Sequence, residues 1–236
     1  SVLKALREQA PQADIAYFGD IKNAPYGLRN PEELRRLALG GIATLKTMRA
    51  GELIAACNSV SPSVLENAAE RSPLLEMSLP FARSLSSYAG EHMLLLATPA
   101  TIASKLYERA VNGTVTLDPL PVPDLAGAIE FGASESVLTG IIREALSQKL
   151  GEHYEGLILG CTHYPLVRTE IETVAGTYFP EIKIIDPAEA VAREAAERFN
   201  TKGVGKLHFR ISADSEMFRM RVAKLFPSTQ KTIEVG

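Results

Sequence analysis

The stretch "GLILGCTHYPLVRTE" (156–170) sets the reading of the fold: an apolar run ends in Cys161, and a helix pattern starts at Pro165. A strand that stays apolar without alternation is buried on both faces, as in a parallel sheet covered by helices. Read alone, the stretch leaves four roles open for Cys161: a core residue, half of a disulfide, a metal ligand, or a nucleophile or base.

The stretch has an echo 104 residues earlier, in "ELIAACNSVSPSVLE" (52–66). Both run Leu-Ile, two small or apolar residues, Cys, a small hydrogen-bonding residue (Asn58 or Thr162), and then a helix. On either side, apolar strands such as "ADIAYFGD" (13–20), "HMLLLA" (92–97), "IKIID" (182–186) and "KLHFRIS" (206–212) alternate with amphipathic helices. "NPEELRRLALGGIATLKTM" (30–48) carries Asn30 as N-cap and Pro31 at the first helical position. "SESVLTGIIREALSQKLG" (134–151) has Ser134 or Ser136 as its cap, and "PLLEMSLP" (73–80) reads as a strand. "PATIASKLYERAV" (99–111) reads as a single helix, and "SPSVLENAAER" (61–71) as another. This order predicts an α/β, doubly wound fold in two similar halves, with ligands beyond the carboxyl ends of the strands. Both cysteines stand at such ends.

The totals agree. A chain of 236 residues, 46% hydrophobic and 22% charged, can bury its own core without staples. A net charge of -3 argues against a nucleic-acid partner. No apolar run approaches the roughly 18 residues of a membrane span, and "SVLKALREQ" (1–9) has no apolar core of a signal peptide. Two cysteines fit a reducing compartment, so a cytoplasmic protein is expected.

A thiol at a strand end before a helix meets free backbone N–H groups and the positive end of the helix dipole, which favour thiolate. Two such thiols facing each other could take a proton from one face of a substrate and return one to the other. Against this, free cysteine is often simply a small buried hydrophobe. A disulfide calls for oxidising surroundings, and Cys161 with His163 lacks the second pair that a four-ligand zinc site requires.

Six segments, "YFGDIKNAPYG" (17–27), "AACNSVS" (55–61), "ATPATIASKLY" (97–107), "IEFG" (129–132), "LGCTHYPL" (159–166) and "IDPAEAVA" (185–192), together resemble the glutamate racemase family of the aspartate/glutamate racemase superfamily. The resemblance implies that Cys57 and Cys161 are acid/base thiols, that His163 assists Cys161, and that Glu130 is an acidic assistant on the same side. For substrate holding it points to Pro25, Tyr26 and Gly27, to Asn58 and Ser59, and to Thr98, Thr101 and Thr162. The expected architecture is two flavodoxin-like units, 1–81 with 184–236 and 82–183, related by a pseudo-two-fold, with the site in the cleft. No cofactor and no metal are expected, the substrate being a small amino acid, glutamate, whose D-form serves peptidoglycan; a homodimer is implied as well. The rivals are a racemase of aspartate or another small acid, a Cys-His hydrolase or thiol transferase that leaves Cys57 dispensable, and a non-catalytic binding module. One departure stands out: the family opens on a strand and an Asp-Ser-Gly stretch, so either roughly 15 residues precede Ser1 or one strand and one assisting acid are lost, exposing a sheet edge. Asp20 is expected to close its strand-end loop.

Overall fold

The computed structural model describes residues 1–67 and 73–236. The chain runs α1 (Val2–Gln9), β1 (Ile15–Gly19), α2 (Pro31–Thr47), β2 (Leu53–Ile54), α3 (Ser61–Asn67), β3 (Leu74–Leu75), α4 (Ser78–Ser84) and β4 (His92–Ala97). There follow α5 (Pro99–Ala103), α6 (Leu106–Val111), β5 (Thr116–Pro121), α7 (Leu125–Glu130), α8 (Glu135–Ser147), β6 (Gly156–Gly160) and α9 (Arg168–Tyr178). The chain closes with β7 (Lys183–Ile185), α10 (Pro187–Arg198), β8 (Leu207–Ile211), α11 (Glu216–Leu225) and β9 (Lys231–Val235). Among the described residues all strand pairings are parallel, in sheets ordered β5-β4-β6-β7, β1-β8-β9 and β2-β3.

The apolar runs become the buried middle of the four-stranded sheet. Strand side chains alternate between faces. Leu94, Leu96, Leu157 and Leu159 therefore pack with Ile142 and Leu146 of α8 and Ile171 of α9, while Met93, Leu95 and Ile158 face Phe81 and Tyr107. Helices on both faces explain why neither strand alternates in polarity. In the other sheets, Leu6 of α1 and Ala192 and Ala195 of α10 pack over Leu75. A cavity of about 420 Å³ is lined by residues of both β1 and β2, each an edge strand of its own sheet.

Caps follow the sequence. Asn30 accepts from Glu33 N at 2.9 Å while the Glu33 carboxylate accepts from Asn30 N at 3.4 Å, a reciprocal capping box before Pro31. Of the two serines, Ser134 caps α8.

Four expectations are corrected. "PLLEMSLP" gives a two-residue strand, because the buried Glu76 carboxylate accepts from Ser78 N (2.6 Å) and Leu79 N (2.7 Å) and so starts α4 there. "PATIASKLYERAV" is two short helices, broken where Lys105 turns left-handed at φ 50°. The expected boundary at 183/184, which would hand "IKIID" back to the first unit, does not hold: Lys183, Ile184 and Ile185 pair with Gly156, Leu157 and Ile158 of β6. The helix expected from Pro165 begins only at Arg168, behind a 3-10 turn at Tyr164–Val167. The helix expected over 61–71 is described to Asn67, and its remainder lies outside the described residues.

Candidate active site

Cys57 follows the β2 edge and immediately precedes a 3-10 turn, Asn58–Val60. Cys161 follows β6 directly. Both line one cavity of about 300 Å³. The two cysteine segments are tied to each other, since Thr162 Oγ1 donates to Ala56 O at 3.0 Å. The echo in the sequence is thus a juxtaposition in space.

Beside Cys161 the charges are arranged in a line. Cys161 Sγ lies 3.9 Å from His163 Nδ1, and His163 Nε2 lies 2.9 Å from Glu130 Oε2. Burial works against an imidazolium here, but the Cys161 sulfur and the Glu130 carboxylate overcome it and lift His163 to about 9. Burial likewise opposes ionisation of Glu130, yet His163 and Arg221 hold its carboxyl below the usual range. At neutral pH the imidazolium is therefore the stable form, with a donor directed to each neighbour.

Cys57 differs from the sequence expectation. Burial first, and the Cys161 sulfur second, push its thiol up to about 11, against hydrogen bonds from Val60, Ser59 and the Ser59 hydroxyl that act the other way. A three-residue 3-10 turn supplies too little dipole to offset desolvation. Cys57 is a neutral thiol at physiological pH.

The loop Pro25–Gly27 borders the same cavity, entered through a cis Ala24–Pro25 peptide. Asp20 closes that loop, as expected: it accepts from Tyr26 OH (2.6 Å), Asn23 Nδ2 (2.9 Å) and Ser212 Oγ (2.6 Å). Gly27 sits against Thr98, and a Cβ there would lie 2.6 Å from both Thr98 Cβ and Cγ2. Gly27→Ala should accordingly cost about 1–3 kcal/mol, read by urea unfolding, and an unchanged midpoint would contradict this contact.

Ser59, Thr98, Thr162, His163 and Glu130 also border the cavity. Asn58 and Thr101 do not, being buried behind it. Tyr107 OH donates to Asn58 Oδ1 at 2.7 Å, and Thr101 Oγ1 lies 3.0 Å from Thr98 Oγ1, which is itself 3.0 Å from Ser59 Oγ. Thr98 also caps α5. These hydroxyls therefore pin the first cysteine loop to the strand end of β4. Arg221 and Tyr17 escaped the sequence reading. Arg221 Nη1 donates to Glu130 Oε2 at 3.2 Å, and the Tyr17 phenol, pushed up to about 12 by burial, lines the cavity from β1.

Among the described residues no group of three or more His, Cys, Asp and Glu is placed to hold a metal ion. No helix there is long and apolar enough to cross a membrane.

The profile of the Asp/Glu/Hydantoin racemase family matches residues 1–195. A glutamate racemase of Streptococcus pneumoniae serotype 19F (strain G54) is 31% identical over 233 residues, covering 92% of this chain and 87% of its own. Among solved structures, a glutamate racemase isoform from Bacillus anthracis superposes with a TM-score of 0.85 at 26% identity, over 100% of this chain and 91% of its own. Glutamate racemase from Thermus thermophilus, in complex with beta-chloro-D-alanine, gives 0.79 at 27% identity over the same shares.

Proposed function

Since the chain belongs to the Asp/Glu/hydantoin racemase family, we propose that it interconverts L- and D-glutamate without a cofactor, by two thiols acting on opposite faces of the α-carbon. The observation that carries this reading is the pairing of Cys57 and Cys161 on one cavity of about 300 Å³, at the small end of ligand pockets. The two sites differ in the way such a reaction needs. A histidine within reach of Cys161 can hold or relay the proton that this sulfur exchanges, which suits a base. Cys57, neutral at pH 7, suits a donor. One thiolate removes the α-proton, the thiol protonates the opposite face, and the roles reverse for the other enantiomer. The backbone N–H groups of Tyr26 and Gly27 and the hydroxyls near Thr98 and Thr162 are suitable donors for the substrate carboxylates and for the charge that develops on deprotonation.

The family resemblance also supports, as proposals, a cytoplasmic homodimer and D-glutamate supply for peptidoglycan. Incubating the protein with L-glutamate in D2O and following chirality by circular dichroism tests the activity. Decay to an equal mixture with one deuterium per inverted molecule is expected; inversion of aspartate but not glutamate would transfer the reading to the other acid. The rate should also fall as pH rises through about 9, where His163 gives up its proton. A rate level to pH 10 would remove the imidazolium from the scheme.

A further inference from the structure

We propose that Arg221 is a positioning residue for the Cys161 side of the reaction: its guanidinium holds the Glu130 carboxylate in place to accept from His163. This rests on the two-thiol reading above. Arg221 lies on α11, far along the chain from both cysteines, and reaches across to the end of α7. Nη1 donates to Glu130 Oε2 at 3.2 Å, and Nη2 donates to Ile129 O in the last turn of that helix. Both side chains are largely withdrawn from water, at 23% and 12% exposure. A two-point fork fixes orientation as a lysine cannot, and a cation suits a helix C-terminus.

The oxygen that Arg221 holds is the one His163 uses: Oε2 meets Nε2 at 2.9 Å. Turning that carboxylate would break both contacts together. The groups facing Glu130 are His163, Arg221 and, from β1, Tyr17; those facing His163 are Cys161 and Glu130. Arg221 thus stands three groups from the sulfur without touching substrate. Because α11 lies between β8 and β9 in sequence, and α7 between β5 and β6, the fork also joins helices whose flanking strands belong to different sheets.

The test compares Arg221→Met and Arg221→Lys with the wild type. In Arg221→Met, kcat/KM should fall about tenfold or more, with part regained in Arg221→Lys. Since the enantiomers have equal free energy, kcat/KM falls by the same factor in both directions, so rate alone does not separate positioning from general damage. The isotope effect does. With α-deuterated substrates it should rise only for the enantiomer whose proton Cys161 removes, because only that transfer has become slower. An equal change for both enantiomers, or none, overturns the proposal.

The second readout needs no turnover. In histidine-labelled protein, the NMR titration midpoint of His163 should move down in Arg221→Met, because Glu130 is no longer held against the ring. Were Arg221 only a nearby charge, its removal would let His163 keep its proton to higher pH, and a midpoint that rises or stays overturns the proposal. If the wild type fails to racemise glutamate, the two-thiol reading falls, while the midpoint still decides what Arg221 does to His163. Should Arg221→Met not fold, the midpoint and isotope effects in Arg221→Lys decide.

Discussion

Cys57→Ala and Cys161→Ala should each abolish racemisation of glutamate, lowering the rate by at least the roughly 10²- to 10⁴-fold of a well-placed acid or base. The two losses should not add, because inversion requires a removal and a return, and the double variant should be no worse than either single one. Proton exchange should separate the thiols. In Cys57→Ala, Cys161 still has His163 beside it and can wash solvent deuterium into one enantiomer without inverting it; Cys161→Ala should exchange only the other. The folded state is a fair background for the comparison, since each change removes one sulfur and costs on the order of 1 kcal/mol. Chiral chromatography with mass detection after incubation in D2O gives both readings. Near wild-type inversion in either variant sinks the two-thiol scheme. An active Cys57→Ala together with a substrate adduct on Cys161 would instead establish the hydrolase or transferase alternative.

What the sequence revealed and what it hid divide along physical lines. The central strands were legible because a strand covered on both faces must be apolar throughout, as Met93 to Ala97 and Leu157 to Leu159 are. The Asn30 cap was legible, and that of α8 was narrowed to Ser134 or Ser136, because a cap is a local contact between residues three apart. The pairing of the cysteines was legible through a repeated local pattern. The start of α4 was hidden, since a glutamate at position 76 gives no sign that its carboxylate will turn back, buried, onto two N–H groups. The protonation of Cys57 was hidden too: a strand-end thiol suggests thiolate, but burial depends on what the rest of the chain places over it. Arg221 was least visible. Nothing in "SEMFRMRVAKLF" distinguishes it from the other basic residues of an amphipathic helix, and its contact with Glu130 spans 91 residues.

The second large effect is expected at His163. His163→Gln should slow inversion about 10²-fold or more, because glutamine can donate to Glu130 but cannot carry a proton or a positive charge beside Cys161. The same substitution should alter the pH dependence of stability. The folded protein holds the His163 proton up to about 9, against 6.5 for the free side chain. A raised folded value means that the stabilisation is complete below 6.5 and is lost as pH rises through about 9. At 1.36 kcal/mol per unit the ceiling is about 3 kcal/mol. The ring is 33% exposed, however, and solvent screening reduces the figure to about 1–2 kcal/mol. Urea unfolding of wild type and His163→Gln at pH 6 and at pH 10 should therefore show a gap that is largest at the lower pH and closes at the higher. A gap independent of pH would mean that His163 contributes by packing, and that its contacts with Cys161 and Glu130 do not hold a charge in the folded state.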